Sequence, residues 1–143
     1  MNAEIILKVF NLDLYGLTAF ATNKDYTGTA FRLMDEMWKV VKAEQLKTKG
    51  QNIWVYEPGE MVFAGVELMP DQETILEHKK IRLTKYAYYK HVGPYHLIKQ
   101  AGQKMRSELE RNGYNVSLPY IEIYGHWQAD ESRLETELLM NIL

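Results

Sequence analysis

The pentapeptide Tyr120-Ile121-Glu122-Ile123-Tyr124 alternates polar-tipped and branched apolar side chains, a pattern that predicts a β-strand. Successive side chains of a strand point to opposite faces of its sheet, so Tyr120, Glu122 and Tyr124 share one face. That face combines two phenol rings with one carboxylate. The strand therefore places an acid between two aromatic side chains.

The surroundings of Glu122 decide what this face does. If the face lines a cavity, it suits a flat, lipophilic cation, because rings supply contact area and cation–π attraction while the carboxylate supplies the opposite charge. If the face meets water, Glu122 is an ordinary solvated strand residue. The pentapeptide alone leaves both alternatives open.

The first half of the chain contains four predicted elements. An apolar stretch over residues 12–21 predicts a strand, and apolar residues at helical spacing predict one amphipathic helix over about 27–46. Two further strands are predicted at 53–56 and 61–68, joined by a Pro-Gly turn. The order of the first half is thus strand-helix-strand-strand.

The second half repeats this order. A strand rich in aromatic residues is predicted over 83–91, and Gly93-Pro94 ends it. A second amphipathic helix is predicted from Tyr95 to Arg111, followed by the strand Tyr120–Tyr124 and a last strand at 134–139. The halves also end alike, in Val-Glu-Leu-Met at 66–69 and Thr-Glu-Leu-Leu at 136–139.

The repeated order indicates an internal duplication within one domain spanning residues 1–143. Repeat one covers about 5–69, repeat two about 82–143, and the polar segment 70–77 is predicted to link them. Each half has one apolar helix stripe and too few strands to bury it. We therefore expect an α+β fold in which both repeats form one mostly antiparallel sheet. Both helices should pack on one face, with approximate two-fold symmetry and a groove along the symmetry axis.

The composition is that of an ordinary globular domain, with 46% apolar and 25% charged residues. The 17 basic and 19 acidic residues give a net charge of −2, so direct binding to nucleic acid is not expected. No apolar run approaches the roughly 20 residues that cross a bilayer, which predicts a cytoplasmic protein without membrane association. Cysteine is absent, and Gly93-Pro94 separates His91 from His96, so we expect neither a metal nor a cofactor.

Several motifs occur in a characteristic order along the chain. They are Trp38, Phe63-Ala64-Gly65-Val66-Glu67, Tyr88-Tyr89-Lys90-His91-Val92-Gly93-Pro94-Tyr95, Asn112-Gly113-Tyr114, Pro119-Tyr120-Ile121-Glu122-Ile123-Tyr124 and Glu135-Thr136-Glu137-Leu138. In order and spacing they resemble the GyrI-like small-molecule-binding family, named after gyrase-inhibitory protein. The same family provides effector-binding domains of AraC-type and MerR-type regulators. The resemblance covers nearly the whole chain.

The resemblance implies a ligand groove between the two halves, in which an acidic residue of the second half neutralises lipophilic cations. That residue corresponds to Glu122. Regulators of the family carry a helix-turn-helix module before this domain. Only residues 1–10 precede the first predicted strand here, so we expect a free-standing member without direct control of DNA.

Aromatic side chains are the candidates for the groove walls, because they offer a broad apolar face and, in tyrosine, a polar tip. The candidates are Trp38, Trp54, Tyr56, Tyr88, Tyr120 and Trp127. Trp38 lies on the apolar helix stripe, so packing in the core is the alternative for it. Trp127 lies in a predicted loop and is either a lid or an exposed residue.

Three functions remain open from the sequence. The preferred one is binding of lipophilic, cationic small molecules without turnover, for sensing or sequestration, with Glu122 as the charge partner. The second is hydrolysis of reactive strained-ring compounds with Glu122 as general base. The third is a protein-interaction or inhibitor module.

Overall fold

The computed structural model describes residues 2–143, which form eight strands and two α-helices. The strands are β1 (Glu4–Ile6), β2 (Phe10–Phe20), β3 (Ile53–Glu57), β4 (Met61–Val66), β5 (Glu77–Leu83), β6 (Tyr86–Val92), β7 (Val116–Tyr124) and β8 (Glu135–Ile142). The helices are α1 (Tyr26–Ala43) and α2 (Ile98–Arg111). Short 3₁₀ turns occupy Thr22–Lys24, Tyr95–Leu97 and Glu131–Arg133.

All eight strands belong to one antiparallel sheet in the order β1-β6-β8-β7-β3-β4-β2-β5. The central pair, β7 and β3, joins the two halves of the chain. On either side the order is matched, because β8 and β6 follow β7 as β4 and β2 follow β3. This arrangement confirms the predicted α+β fold and its approximate two-fold symmetry.

Both helices pack on the same face of the sheet. Phe31 of α1 lies against Trp54 of β3 with ring centroids 5.0 Å apart, and Gly102 of α2 lies over Tyr120 of β7. Trp54 is paired across the strands with Glu122, which shares a face with Tyr120. Helix α1 covers β2 and β4, and α2 covers β6, β7 and β8. The boundary between the neighbouring strands β3 and β7 therefore lies in the gap between the two helices.

The helix-free face of the sheet curls upon itself. Phe10 on β2 and Tyr86 on β6 have four strands between them in the sheet, yet their ring centroids are 5.8 Å apart. The enclosed interior includes the buried side chains of Leu14, Phe63 and Ile121. Each large apolar side chain buried in this way stabilises the fold by about 1.5–3 kcal/mol. The largest single cluster of buried apolar side chains thus lies on the face opposite the helices.

Helix α1 begins where the sequence predicts a helix. Asp25 caps it, because its side-chain Oδ1 accepts a hydrogen bond from the Gly28 N–H at 3.0 Å. Its apolar stripe is buried against β2 and β4. The helix ends at Ala43, three residues before the predicted Leu46, because Gln45 adopts a positive φ of 55° that an α-helix does not accommodate.

Two edge strands are missing from the sequence prediction. β1, at the start of the chain, pairs with β6 of the second half. β5, which follows the first half in sequence, pairs back with β2. β5 begins at Glu77, which was predicted to belong to the link, and only Ile81 and Leu83 are buried in it. Charged residues on an edge strand discourage pairing with other chains, but they also remove the apolar pattern that identifies a strand.

A close approach of β2 and β4 can be tested at Gly16. A Cβ added there would lie 2.0 Å from the carbonyl oxygen of Ala64 and 2.6 Å from the Cα of Gly65. Because both neighbours are backbone atoms, Gly16→Ala should lower the free energy of unfolding by about 1–3 kcal/mol, measured by urea denaturation. Asn11→Ala, at an exposed position of the same strand, should change it by no more than about 0.5 kcal/mol. Equal stability of Gly16→Ala and the wild type would contradict the close approach.

Candidate functional site

A cavity of about 1320 Å³ opens on the face of the sheet that carries both helices. Residues of both halves of the chain line it. Its floor is formed by side chains of β3 and β7, namely Trp54, Tyr56, Tyr120, Glu122 and Tyr124. Tyr26 and Phe31 of α1 border one side, Tyr95 and Gly102 border the other, and residues 125–127 form part of the rim.

Glu122 is buried at the floor of this cavity, with 5% of its surface exposed. Its Oε1 accepts hydrogen bonds from the hydroxyls of Tyr56 at 3.0 Å and Tyr124 at 2.7 Å. Its Oε2 accepts one from the hydroxyl of Tyr120 at 2.8 Å. Three phenols thus hold the two carboxylate oxygens.

Strand geometry explains why these four side chains meet. Tyr120 and Tyr124 lie two residues before and after Glu122 on β7, so all three point to one face. Tyr56 joins them from β3, because the register pairs it directly with Tyr120. The rings of Tyr56 and Tyr120 stack with centroids 5.5 Å apart. The cluster therefore depends on the pairing of β3 with β7.

No salt bridge formed by residues 2–143 includes Glu122. Two other charged residues at the cavity have ion-pair partners of their own, since Glu57 pairs with Lys79 at 2.7 Å and Arg106 with Glu110 at 3.0 Å. Glu122 is thus a buried acid surrounded by neutral hydrogen-bond donors.

Two opposing effects set the pKa of Glu122. Burial raises it, because the charged form loses its hydration, and the hydrogen bonds from the three phenols lower it by stabilising the carboxylate. Burial is the larger effect, so the pKa of Glu122 is raised above its ordinary value of 4.5. The ionised form of Glu122 is therefore less favourable here than in water.

The three phenols remain protonated donors. Burial raises the pKa of Tyr56, Tyr120 and Tyr124 well above the ordinary value of 10.0, and the nearby charge of Glu122 raises it further. A phenolate beside the carboxylate would place two negative charges together away from water. The cluster therefore carries at most one negative charge, on Glu122.

Aromatic rings surround the acid on several sides. Trp54 and Tyr124 have ring centroids 4.8 Å apart, and Tyr95 meets Tyr124 edge to face at 5.7 Å. Phe31 meets Trp54 edge to face from α1. The rings supply broad apolar surface and negative π faces, which attract a desolvated cation.

Five of the seven residues predicted from the sequence line this cavity. Glu122, Tyr120, Tyr56 and Trp54 lie at its floor, and Trp127 lies at its rim with 73% of its surface exposed. Trp38 and Tyr88 are not among the lining residues.

The two remaining residues have other surroundings. Trp38 packs beside the buried face of α1, and its indole Nε1–H donates to Oδ1 of Asn52 at 2.6 Å. Tyr88 is paired with Leu139 on the helix-free face, where it lines a separate cavity of about 430 Å³. Its hydroxyl donates to Oε2 of Glu137 at 2.6 Å. Alternation along β6 therefore directs Tyr88 away from Glu122.

Tyr124, Phe31, Tyr26 and Tyr95 also line the cavity, although the sequence analysis did not select them as wall residues. Alternation already placed Tyr124 on the face of Glu122, which was the available signal. Phe31 lay on the predicted helix stripe and looked like a core residue, yet half of its surface is exposed. Tyr26 and Tyr95 begin helical segments, and the sequence carried no signal for their orientation.

Within residues 2–143, no three or more His, Cys, Asp or Glu side chains are grouped closely enough to hold a metal ion. None of the helices in this range is long and apolar enough to span a membrane.

The sequence profile of the GyrI-like small molecule binding domain matches residues 32–143. The chain therefore belongs to this family, as its motifs predicted. Membership of this family makes the chain a small-molecule-binding domain.

Solved structures share the fold over the full length of the chain. The C-terminal domain of EcmrR superposes with a TM-score of 0.74 at 18% identity, covering 100% of this chain and 99% of that one. SAV2435 bound to tetraphenylphosphonium gives 0.66 at 18% identity, with coverage of 100% and 94%. A hydrolase from Listeria innocua gives 0.54 at 14% identity, with coverage of 99% and 91%. No curated protein sequence matches the chain.

The raised pKa of Glu122 predicts a pH-dependent stability. The folded chain holds the carboxyl proton of Glu122 more tightly than the unfolded chain does. The protonated Glu122 therefore makes its full contribution to the free energy of unfolding below about pH 4.5, and this contribution is lost as the pH rises through the folded-state pKa. Glu122→Gln should therefore gain stability relative to the wild type as the pH rises above about 4.5. Each unit of raised pKa corresponds to about 1.4 kcal/mol.

Urea denaturation of the wild type and Glu122→Gln at a series of pH values from about 4 upward measures the difference in their free energies of unfolding. Tyr124→Phe removes one hydrogen-bond donor that stabilises the ionised carboxylate. It should therefore raise the pKa of Glu122 and move the loss of stability to higher pH. A difference between wild type and Glu122→Gln that stays constant with pH would contradict the raised pKa.

Proposed function

We propose that this chain binds lipophilic organic cations in the cavity between its two halves, with Glu122 as the charge partner. One observation carries the proposal. Glu122 is a buried carboxylate, and within residues 2–143 its hydrogen-bond partners are three neutral phenols. Membership of the GyrI-like family supports a small-molecule ligand.

The free energy of burial favours a cation over a neutral molecule. A carboxylate taken out of water without a counter-charge costs several kcal/mol, and the hydrogen bonds of Tyr56, Tyr120 and Tyr124 offset only part of this cost. An organic cation beside Glu122 compensates the remaining charge. A neutral molecule of the same shape makes the same ring contacts but leaves the acid uncompensated.

The walls favour a bulky, ring-bearing ligand. The cavity volume of about 1320 Å³ is large beside the roughly 300–1000 Å³ of common small-molecule sites. The ring faces of Trp54 and Tyr124 offer stacking surface, and we expect Trp127 at the rim to cover a ligand that fills the cavity. A rigid cation with several aromatic rings suits such a site. SAV2435, which shares the fold, is described as bound to tetraphenylphosphonium, an ion of this class.

Tetraphenylphosphonium and tetraphenylborate form a matched test, because the two ions have nearly the same shape and opposite charges. The wild type should bind the phosphonium roughly 100-fold more tightly than the borate, since only the phosphonium compensates Glu122. Glu122→Gln should weaken phosphonium binding by about 30-fold or more and reduce the preference for positive charge. Isothermal titration calorimetry measures both affinities.

Tyr88→Phe is the matched control, because Tyr88 lies on the opposite face of the sheet. It should leave both affinities unchanged. Equal loss of affinity for both ions in Glu122→Gln would contradict the charge role.

The two alternative functions give different results in the same series. Turnover of a strained-ring electrophile that Glu122→Gln abolishes, while binding persists, would identify a hydrolase. A melting temperature that no organic cation raises would contradict the proposal and leave a protein-interaction role.

A further inference from the structure

The hydrogen bond between Trp38 and Asn52 fixes the orientation of an amide at the cavity. An indole N–H can only donate, so the atom that it meets at 2.6 Å must be the amide oxygen Oδ1 of Asn52. The Nδ2 group of Asn52, which carries two donor hydrogens, then points away from Trp38. Within residues 2–143, this group has no hydrogen-bond partner. Asn52 lines the large cavity, so its free donors are available there.

Asn52 lies on the same face of the sheet as Glu122. It immediately precedes β3, and its carbonyl oxygen accepts a hydrogen bond from the Tyr124 N–H at 2.9 Å, which extends the pairing of β3 with β7. Trp54, two residues further on, is paired directly with Glu122. Asn52 is therefore the diagonal neighbour of Glu122 on this face of the sheet. The second half of the chain thus contributes a carboxylate to the cavity floor, and the first half contributes a neutral amide donor.

We infer that the ligand of this cavity is an organic cation that also carries a hydrogen-bond acceptor oxygen, with Asn52 donating to that oxygen. The inference rests on the proposed function and deepens it. Trp38 is a positioning residue, because it acts through Asn52 and holds the amide with its donors toward the cavity. A ligand that covers Asn52 with apolar surface leaves these donors desolvated and unpaired, which costs affinity.

Two phosphonium probes of similar size test the inference. One is (4-methoxycarbonylphenyl)triphenylphosphonium, whose ester carbonyl supplies an acceptor oxygen. The other is (4-propylphenyl)triphenylphosphonium, which has no acceptor. The wild type should bind the ester about five-fold more tightly than the propyl compound, the effect of one hydrogen bond.

Asn52→Asp is the informative variant, because its carboxylate still accepts from Trp38 but presents no donor to the cavity. The preference for the ester should disappear or reverse, while tetraphenylphosphonium still binds. Trp38→Phe should reduce the preference by freeing the amide to rotate. Tyr88→Phe, on the other face, should leave it at the wild-type value.

The outcomes separate this inference from the proposed function. Equal affinities of the two probes for the wild type, or a preference for the ester that survives in Asn52→Asp, would overturn the role of Asn52 while leaving cation binding intact. If the wild type binds none of the three phosphonium ions, the proposed function fails and the inference fails with it.

Discussion

The contact between one buried carboxylate and three phenols is the interaction on which the account of this protein depends. The three donors stabilise the ionised form of Glu122 at the floor of the cavity, and Tyr56 reaches it only because β3 and β7 pair in one register. That pair lies at the centre of the symmetric sheet, where the two repeats meet. The fold thus places the charged group where both halves of the chain can contribute walls around it.

The architecture separates the largest apolar cluster from the cavity. The helix-free face curls around side chains such as Phe63 and Leu139, which are fully or almost fully buried. The helix-bearing face leaves Trp54, Tyr124 and Glu122 around open space. Burial of an acid that lacks a counter-charge lowers stability, and the interior on the other face compensates for it. The cavity floor can therefore keep a destabilising group without loss of the fold.

Much of this arrangement was predictable from short-range patterns. Alternation in the stretch 120–124 placed Glu122 beside Tyr120 and Tyr124, and the repeated order of elements predicted the symmetric sheet. The contact of Tyr56 with Glu122 was not derivable, because it depends on the register between strands that are distant in sequence. The same limit applies to Tyr88, whose face is set by β6 and β8, and to Asn52, which lacks any local pattern. The edge strand β5 was missed because its charged residues hide its alternation.

The most direct test of the central claim is the pKa of the Glu122 carboxyl group, measured by ¹³C NMR titration of the free protein and of the protein saturated with tetraphenylphosphonium. The Glu122→Gln spectrum assigns the signal. In the free protein the pKa should lie above the ordinary value of 4.5, because burial disfavours the charge. With the cation bound it should fall clearly, because the bound charge stabilises the carboxylate. A pKa that is the same in the free and the saturated protein would contradict the account.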